Sequence, residues 1–327
     1  MKLLNDTAKQ HYLSQVEQRL NTCNPAAISR NQKIHAFEIL QRGTSDEIKL
    51  GPAGEKLIGS NLSLHDLFSF DVEPRANLRQ NFEGLFQRYE QRLQTHTEAL
   101  LIKAEVKSAN IAEELIALFS AKLLNFMRNP YSVPKILDTF KSITKLRPTD
   151  PQQDRLLQLV LNGRKPHQAA MCKRLGLSDI QYHHWLATLF MMLTELSPGR
   201  ESMFDGIVRQ MFTDKKHAVG VMISMYTKEK CLLSDRSFST NLREPHVDGM
   251  DFNLRHDAFI RYVFASRKAM LPPNTRPNLM ALCETLDPKV DVYYFVDDMT
   301  QLRYFNMNVI NQSHSRVFCA AKEGIVF

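Results

Sequence analysis

Residues 218–238, AVGVMISMYTKEKCLLSDRSF, decide the fold class, because here a strand pattern breaks a long helical run. They read as two apolar strands joined by the polar turn Thr227-Lys228-Glu229-Lys230, and the second strand stops at Ser234-Asp235. A polar pair at the end of a buried strand is a natural place for a site. Outward towards the C-terminus, 258–270 (AFIRYVFASRKAM) reads as a third strand of the same sheet, ending before Pro272-Pro273. A short helix over 277–286 and a strand over 291–296 follow. Asp297-Asp298 then cap a helix carrying Leu302, Phe305, Val309 and Ile310, and the strand 316–319 closes the pattern.

Outward in the other direction, 1–24 fits a short helix ending before Asn24-Pro25. Residues 34–50 read as a two-stranded hairpin with Gly43 in its turn, and 61–71 is a short apolar segment that should pin this hairpin to the helices. Leu78, Phe82, Leu85, Phe86, Tyr89, Leu93 and Leu100 recur at steps of three and four, which predicts one long amphipathic helix. Another helix is predicted over 111–127, stopped by Asn129-Pro130 and apolar on more than one side, as a central helix would be. Shorter helices are expected over 133–143 and 152–161.

The layout of 167–196 is that of a helix-turn-helix, with Ser178 and Gln181 spaced as a capping box. Its second helix carries Trp185, Leu186, Leu189, Phe190, Met191, Met192 and Leu193, too apolar for a face that reads a DNA groove. Helix packing is the reading kept. The whole is an α+β fold: a mostly antiparallel sheet built from N- and C-terminal strands, with a central helical bundle. One α+β domain spanning 1–327 is expected, its helical middle section at about 75–212.

Composition narrows the class. With 43% hydrophobic and 24% charged residues over 327 positions, the chain has the make-up of a globular protein with a sizeable core. No apolar run approaches the ~20 residues of a membrane span, and the opening Met1-Lys2-Leu3-Leu4-Asn5-Asp6 lacks the apolar core of a secretion signal, so a cytoplasmic location without membrane is expected. The five cysteines are scattered with no Cys-x-x-Cys pair, which points to neither a disulfide framework nor a zinc knuckle. The net charge of +7 favours DNA, RNA or another polyanion, though it is spread along the chain as ordinary surface charge would be.

Three clusters carry chemistry on paper. Glu244-Pro245-His246-Val247-Asp248 with Asp251, His256 and Asp257 has metal-binding residue types without a fixed ligand spacing, and a polar loop between strands explains it as well. His183-His184 are adjacent on a helix and point about a hundred degrees apart, which suits separate surface or core roles. Glu38 with Glu47-Ile48-Lys49 echoes nucleases that hold a divalent ion with two acids beside a lysine, yet lacks a Pro-Asp element. No phosphate-binding loop, dinucleotide fingerprint, nucleophile elbow or His-Glu-x-x-His occurs.

Four short motifs, in order along the chain, resemble the domain-of-unknown-function 4238 family. Gln10-His11-Tyr12 matches its opening Gln-His-Tyr-Val-Pro, with Leu13-Ser14 in place of Val-Pro. Arg128-Asn129-Pro130 is similar to its Arg-x-Pro helix ending. Ser234-Asp235 stands where the family has Ser-Asp-Asn-Pro, with Arg236-Ser237 in place of Asn-Pro. Phe305-Asn306 leading to Arg316-Val317-Phe318 resembles its closing helix and strand. The resemblance implies that His11, Arg128, Asp235 and Asn306 converge, either as an acid-base and anion-holding set or as a buried polar network that fixes the fold. It also implies a bacterial effector of the defence or toxin type. The expectation is action on nucleic acid, as a nuclease using Mg or Mn. The alternative is a non-catalytic module that binds a protein partner or a small ligand.

Overall fold

The computed structural model describes residues 3–76, 78–197, 199–240, 246–272, 274–283 and 285–327. In chain order, β1 (Lys9–His11) and α1 (Gln15–Leu20) precede the strands β2 (Lys33–Gln41), β3 (Lys49–Leu50), β4 (Gly54–Leu57), β5 (Ser63–His65), β6 (Ser69–Glu73) and β7 (Leu78–Asn81). Eight helices follow: α2 (Glu83–Glu90), α3 (Leu93–Glu105), α4 (Ala112–Arg128), α5 (Val133–Thr139), α6 (Pro151–Asn162), α7 (Gln168–Leu175), α8 (Asp179–Leu193) and α9 (Met203–Thr213). The chain then runs through β8 (His217–Met225), β9 (Leu233–Ser234), β10 (Ser239–Thr240), β11 (Val247–Arg255) and β12 (Ala258–Ser266). It closes with α10 (Pro277–Cys283), β13 (Val290–Val296), α11 (Met299–Gln312) and β14 (Arg316–Cys319). This is an α+β fold whose strand pairs are antiparallel except β8 with β13. Among the described residues no helix is long and apolar enough to cross a membrane.

Two compact units make up the chain, each assembled from three separated segments, and two of the five divisions fall inside α4 and α9. The first unit holds Met1–Ser14, Ser60–Arg92 and Leu123–Ile207. Its strands form two ribbons, β1 with β5 and β6 with β7. The Lys9–His11 stretch expected in a helix is therefore a strand, fastened by the buried Gln10, whose amide donates to Thr7 O and Ser69 Oγ. The α8 helix is apolar on every side and buried through Trp185 to Leu193, with α5, α6 and α7 packed on it. Trp185 Nε1 donates to Met127 O at 2.8 Å and Tyr182 Oη to Leu67 O at 2.9 Å, so the helix that follows the turn is core, as its composition requires. Gly163 has no substitute here, since a Cβ would sit 2.3 Å from Phe70 O.

The single helix expected over 78–100 is instead β7, α2 and α3. Asn81 Oδ1 accepts from the Glu83 backbone and starts α2 anew, and α3 begins after Arg92 in the second unit. Apolar spacing carried across those starts misread three elements as one.

The second unit holds Gln15–Gly59, Leu93–Lys122 and Val208–Phe327. Its larger sheet has the order β10-β11-β12-β8-β13, and its smaller one β3-β2-β14-β9 with β4 also on β2. The predicted hairpin of β2 and β3 and the closing strand β14 are present. The two halves of 218–238 are not a hairpin: β8 pairs with β12 and β13, whereas Leu233-Ser234 pairs with β14 in the other sheet. Sequence neighbours were separated because Leu232 and Leu233 are buried against α11 rather than beside β8.

Strand β11, expected as a polar loop, is an inner strand of the larger sheet. Its polar residues face fixed partners: Asp251 meets Arg261 directly across the β11–β12 register at 2.7 Å, and Asn253 exchanges amide hydrogen bonds with Asn21. Partners far along the chain hid the strand. The two faces of this sheet are covered differently. Phe119 of α4 sits among Phe212, Phe252, Tyr262 and Phe264 on one, and Phe305 of α11 stacks on Phe259 at 4.1 Å on the other. The apolar stripe Leu302, Phe305, Val309, Ile310 drives that second contact.

Candidate functional site

Of the four residues singled out by motif, His11 and Arg128 belong to the first unit and Asp235 and Asn306 to the second. His11 is buried in β1. Arg128 closes α4 with 1% of its surface exposed. Its Nη1 lies 2.5 Å from Glu90 Oε1, its Nη2 donates to Asn125 Oδ1 at 2.6 Å, and the guanidinium stands over the Phe86 ring. Glu83, two turns back from Glu90 on the same face of α2, is pushed up to about 7 by burial; Arg128 opposes that rise and Glu90 adds to it.

Asp235 and Asn306 belong to the same unit but serve opposite ends of β9: Asn306 holds the chain that enters the strand and Asp235 the chain that leaves it. Asp235 Oδ1 accepts from His314 N at 2.6 Å, and Oδ2 from Ser315 N and Arg316 N at 2.8 and 2.9 Å. Asn306 Oδ1 accepts from Leu232 N, and its amide donates to Lys230 O and Val326 O. Both side chains are buried, and both hold backbone that has no ladder partner of its own. The Asp235 carboxylate turns the chain from α11 into β14. Such a carboxylate, filled by peptide donors, braces a turn rather than moving a proton.

The acids of the β2–β3 hairpin are similarly engaged. Glu38 pairs with Arg316 at 2.8 Å, and Glu47 accepts from Thr44. Of the stretch proposed for metal, Glu244 lies outside the described residues, and Asp251 and Asp257 are held by arginines. Among the described residues no three His, Cys, Asp or Glu side chains are grouped to hold a metal ion.

A groove in the second unit is the better candidate. It has a volume of about 410 Å³ and opens beside the last turn of α3, where the larger sheet ends. Its floor and walls are mostly apolar, with Leu101 and Ala104 from α3, Met225 and Tyr226 from the end of β8, and Tyr294 and Val296 from β13. The strand alternation explains the wall: Tyr294 and Val296 lie two apart and so share one face of β13. Tyr294 Oη donates to Ser108 O at 2.9 Å, which ties the end of α3 to the strand, and Tyr226 Oη donates to Asp298 O at 3.0 Å. Burial raises both phenols, so neither supplies a phenolate near neutrality.

The rim is polar and pre-arranged. Arg255 Nε and Nη2 donate to the two oxygens of Asp257 at 2.6 and 3.0 Å, a bidentate pair across the β11–β12 turn. Thr227 donates through N and Oγ1 to Asp297. His256 stands next to the pair, its Nδ1 3.8 Å from Asp257 Oδ2, and burial lowers its pKa, so the ring is neutral at pH 7. Glu105 and Lys107 add one exposed charge of each sign. Sequence reading met Asp257 in a stretch weighed as metal ligands or as a polar loop, and placed Tyr226 and Tyr294 in strands. The Arg-x-Asp spacing at a strand turn was the available signal.

Set against protein-family models, curated proteins and solved structures, the chain has no match in any of the three. The likeness to the domain-of-unknown-function 4238 family rests on the four short motifs alone.

Proposed function

We propose that the second unit is a binding module for a small amphipathic molecule. The ligand has an aromatic or branched apolar body and an uncharged or zwitterionic polar end. One observation carries the reading: the tyrosines, Arg255, Asp257 and Thr227 around the groove are already anchored by hydrogen bonds, so the site offers a fixed shape rather than a reactive group. The groove's volume lies in the range of small-molecule sites, and its paired rim charges favour a ligand without net charge. Aromatic and branched-chain amino acids and their amides are the probes to use.

Saturation-transfer NMR with these probes, at about 1 mM or below, should report binding. Val296→Trp, which fills the groove from an exposed position, and Arg255→Ala, which removes the rim fork, should each weaken it tenfold or more. Absence of binding by the whole set, or binding that both variants leave unchanged, would overturn the reading.

A second reading, an effector acting on DNA or RNA as a Mg- or Mn-dependent nuclease, has the net charge of +7 in its favour. The described residues do not supply the grouped acids such an ion needs. Steeply salt-dependent binding of a mixed-sequence duplex, with cleavage on adding Mg or Mn, would raise this reading above the first.

A further inference from the structure

The two edges of the larger sheet are treated in opposite ways. At one edge β10 spans Ser239–Thr240 among the described residues, and Gln312 of α11 closes it: Thr240 N donates to Gln312 Oε1 at 2.8 Å, and Gln312 Nε2 donates back to Thr240 O at 2.6 Å. At the other edge β13 runs for seven residues, VDVYYFV, paired along its whole length with β8, and among the described residues no strand pairs with its outer side. It has no proline and no internal lysine, and Asp291 is its one internal charge. Tyr293 and Val296 are 51% and 62% exposed, and Leu279, Leu282 and Leu286, in the chain that leads into β13, are about half exposed. An open, apolar, β-prone edge of this kind takes another strand.

The backbone fixes which atoms are on offer. Asp297 N donates to Met225 O, so in this parallel pair the odd residues of β13 bond β8. The N–H and C=O groups of Val290, Val292, Tyr294 and Val296 therefore point outward. An antiparallel partner strand must match outward residues to outward residues. If that strand is β13 of a second copy, the register that uses all four sets Val290 opposite Val296 and Val292 opposite Tyr294, with Tyr293 facing itself on the two-fold axis. The same register places Lys289, 83% exposed and 3.4 Å from Asp291, opposite Asp297 at both ends, whose carboxylate also accepts from Thr227. Backbone parity, aromatic pairing and charge agree on one alignment.

We infer that this chain self-associates through β13, in antiparallel register about Tyr293, joining two larger sheets into one continuous sheet. The partner is a second copy because the strand is complementary to itself: a lysine at one end, an aspartate at the other and an apolar centre. Tyr294 and Val296 line the groove with their side chains and offer only their backbone groups to the partner strand, so self-association is read by sedimentation and crosslinking without any ligand.

Sedimentation of the full chain between about 1 and 100 µM should show a dimer. Val292→Pro removes an outward donor without touching the β8 ladder and should weaken the dimer at least tenfold while leaving far-UV circular dichroism unchanged. Tyr293→Cys places two thiols at a non-hydrogen-bonded antiparallel position, close enough for a disulfide, and should crosslink under mild oxidation. Phe295→Cys, opposite Asp291, should not crosslink, and neither should the native chain. A monomer at the top concentration overturns the inference, and so does a dimer whose Tyr293→Cys form stays uncrosslinked. If Val292→Pro fails to fold, the crosslinking pair decides alone.

Discussion

The α4 helix buries two cations six residues apart, and the two units treat them differently. In the second unit Lys122, fully buried, lies 3.0 Å from Glu17 Oε1, itself 1% exposed, and donates to Asn253 O at 2.6 Å. In the first, Arg128 shares its charge between Glu90, whose side chain is 23% exposed, Asn125 and the face of Phe86, with Glu83 nearby. A pair sealed on both sides cannot be relieved by water when one partner is lost. A pair with one wet member can. The first network is all-or-none, and the second adjusts to its surroundings.

Removing Glu17 breaks the sealed pair and gives the largest effect. Glu17→Ala should cost about 3–5 kcal/mol, because the Lys122 ammonium is left buried with a single carbonyl. The double variant Glu17→Leu with Lys122→Met should recover most of that loss, since no charge is then stranded. Urea unfolding can separate the units: the single tryptophan, Trp185, lies in the first, so its fluorescence reports that unit, while circular dichroism reports both. Loss confined to the part of the transition that Trp185 does not follow is the expected result. An equal loss in the single and double variants would show that the pair matters only for packing.

Arg128→Met should act on the Trp185 transition instead, and by less, about 1–3 kcal/mol. Glu90 can turn its carboxylate to solvent, and the methionine retains contact with Phe86. A loss as large as that of Glu17→Ala would erase the distinction between the two networks.

How much of this was legible follows from where each residue finds its partner. The capping box at Ser178, the Asp298 cap, the β2–β3 hairpin and the closing strand were readable because their signals are local. Strand β11 was not, because Asp251 and Asn253 look like loop residues until Arg261 and Asn21 are placed beside them. The same holds for function. Asp235 was recognisable as a polar residue at a strand end and Asn306 only through a motif, but their peptide partners, His314 to Arg316 and Leu232, are what give them the geometry of braces. The groove was invisible because its walls are tyrosines and aliphatics, which a sequence assigns to core.

Glu83 tests the adjustable network most directly. Burial raises its carboxyl to about 7, so the folded chain keeps a proton on it that the unfolded chain loses near the ordinary value of 4.5. Below that value both states are protonated and the contribution to stability is complete. As pH rises from about 4.5 to 7 the unfolded state ionises first, and stability falls; above 7 both are ionised and the loss is constant. Each tenfold change in proton affinity corresponds to about 1.4 kcal/mol, but the side chain is part-exposed, so the realised loss is on the order of 1–2 kcal/mol. Glu83→Gln, which mimics the protonated form, should flatten the Trp185-detected stability between pH 5 and 7 and leave the chain more stable than the native one at pH 8. A native profile already flat over that range would mean that Arg128 holds Glu83 ionised after all, and that the first unit's network is as fixed as the second's.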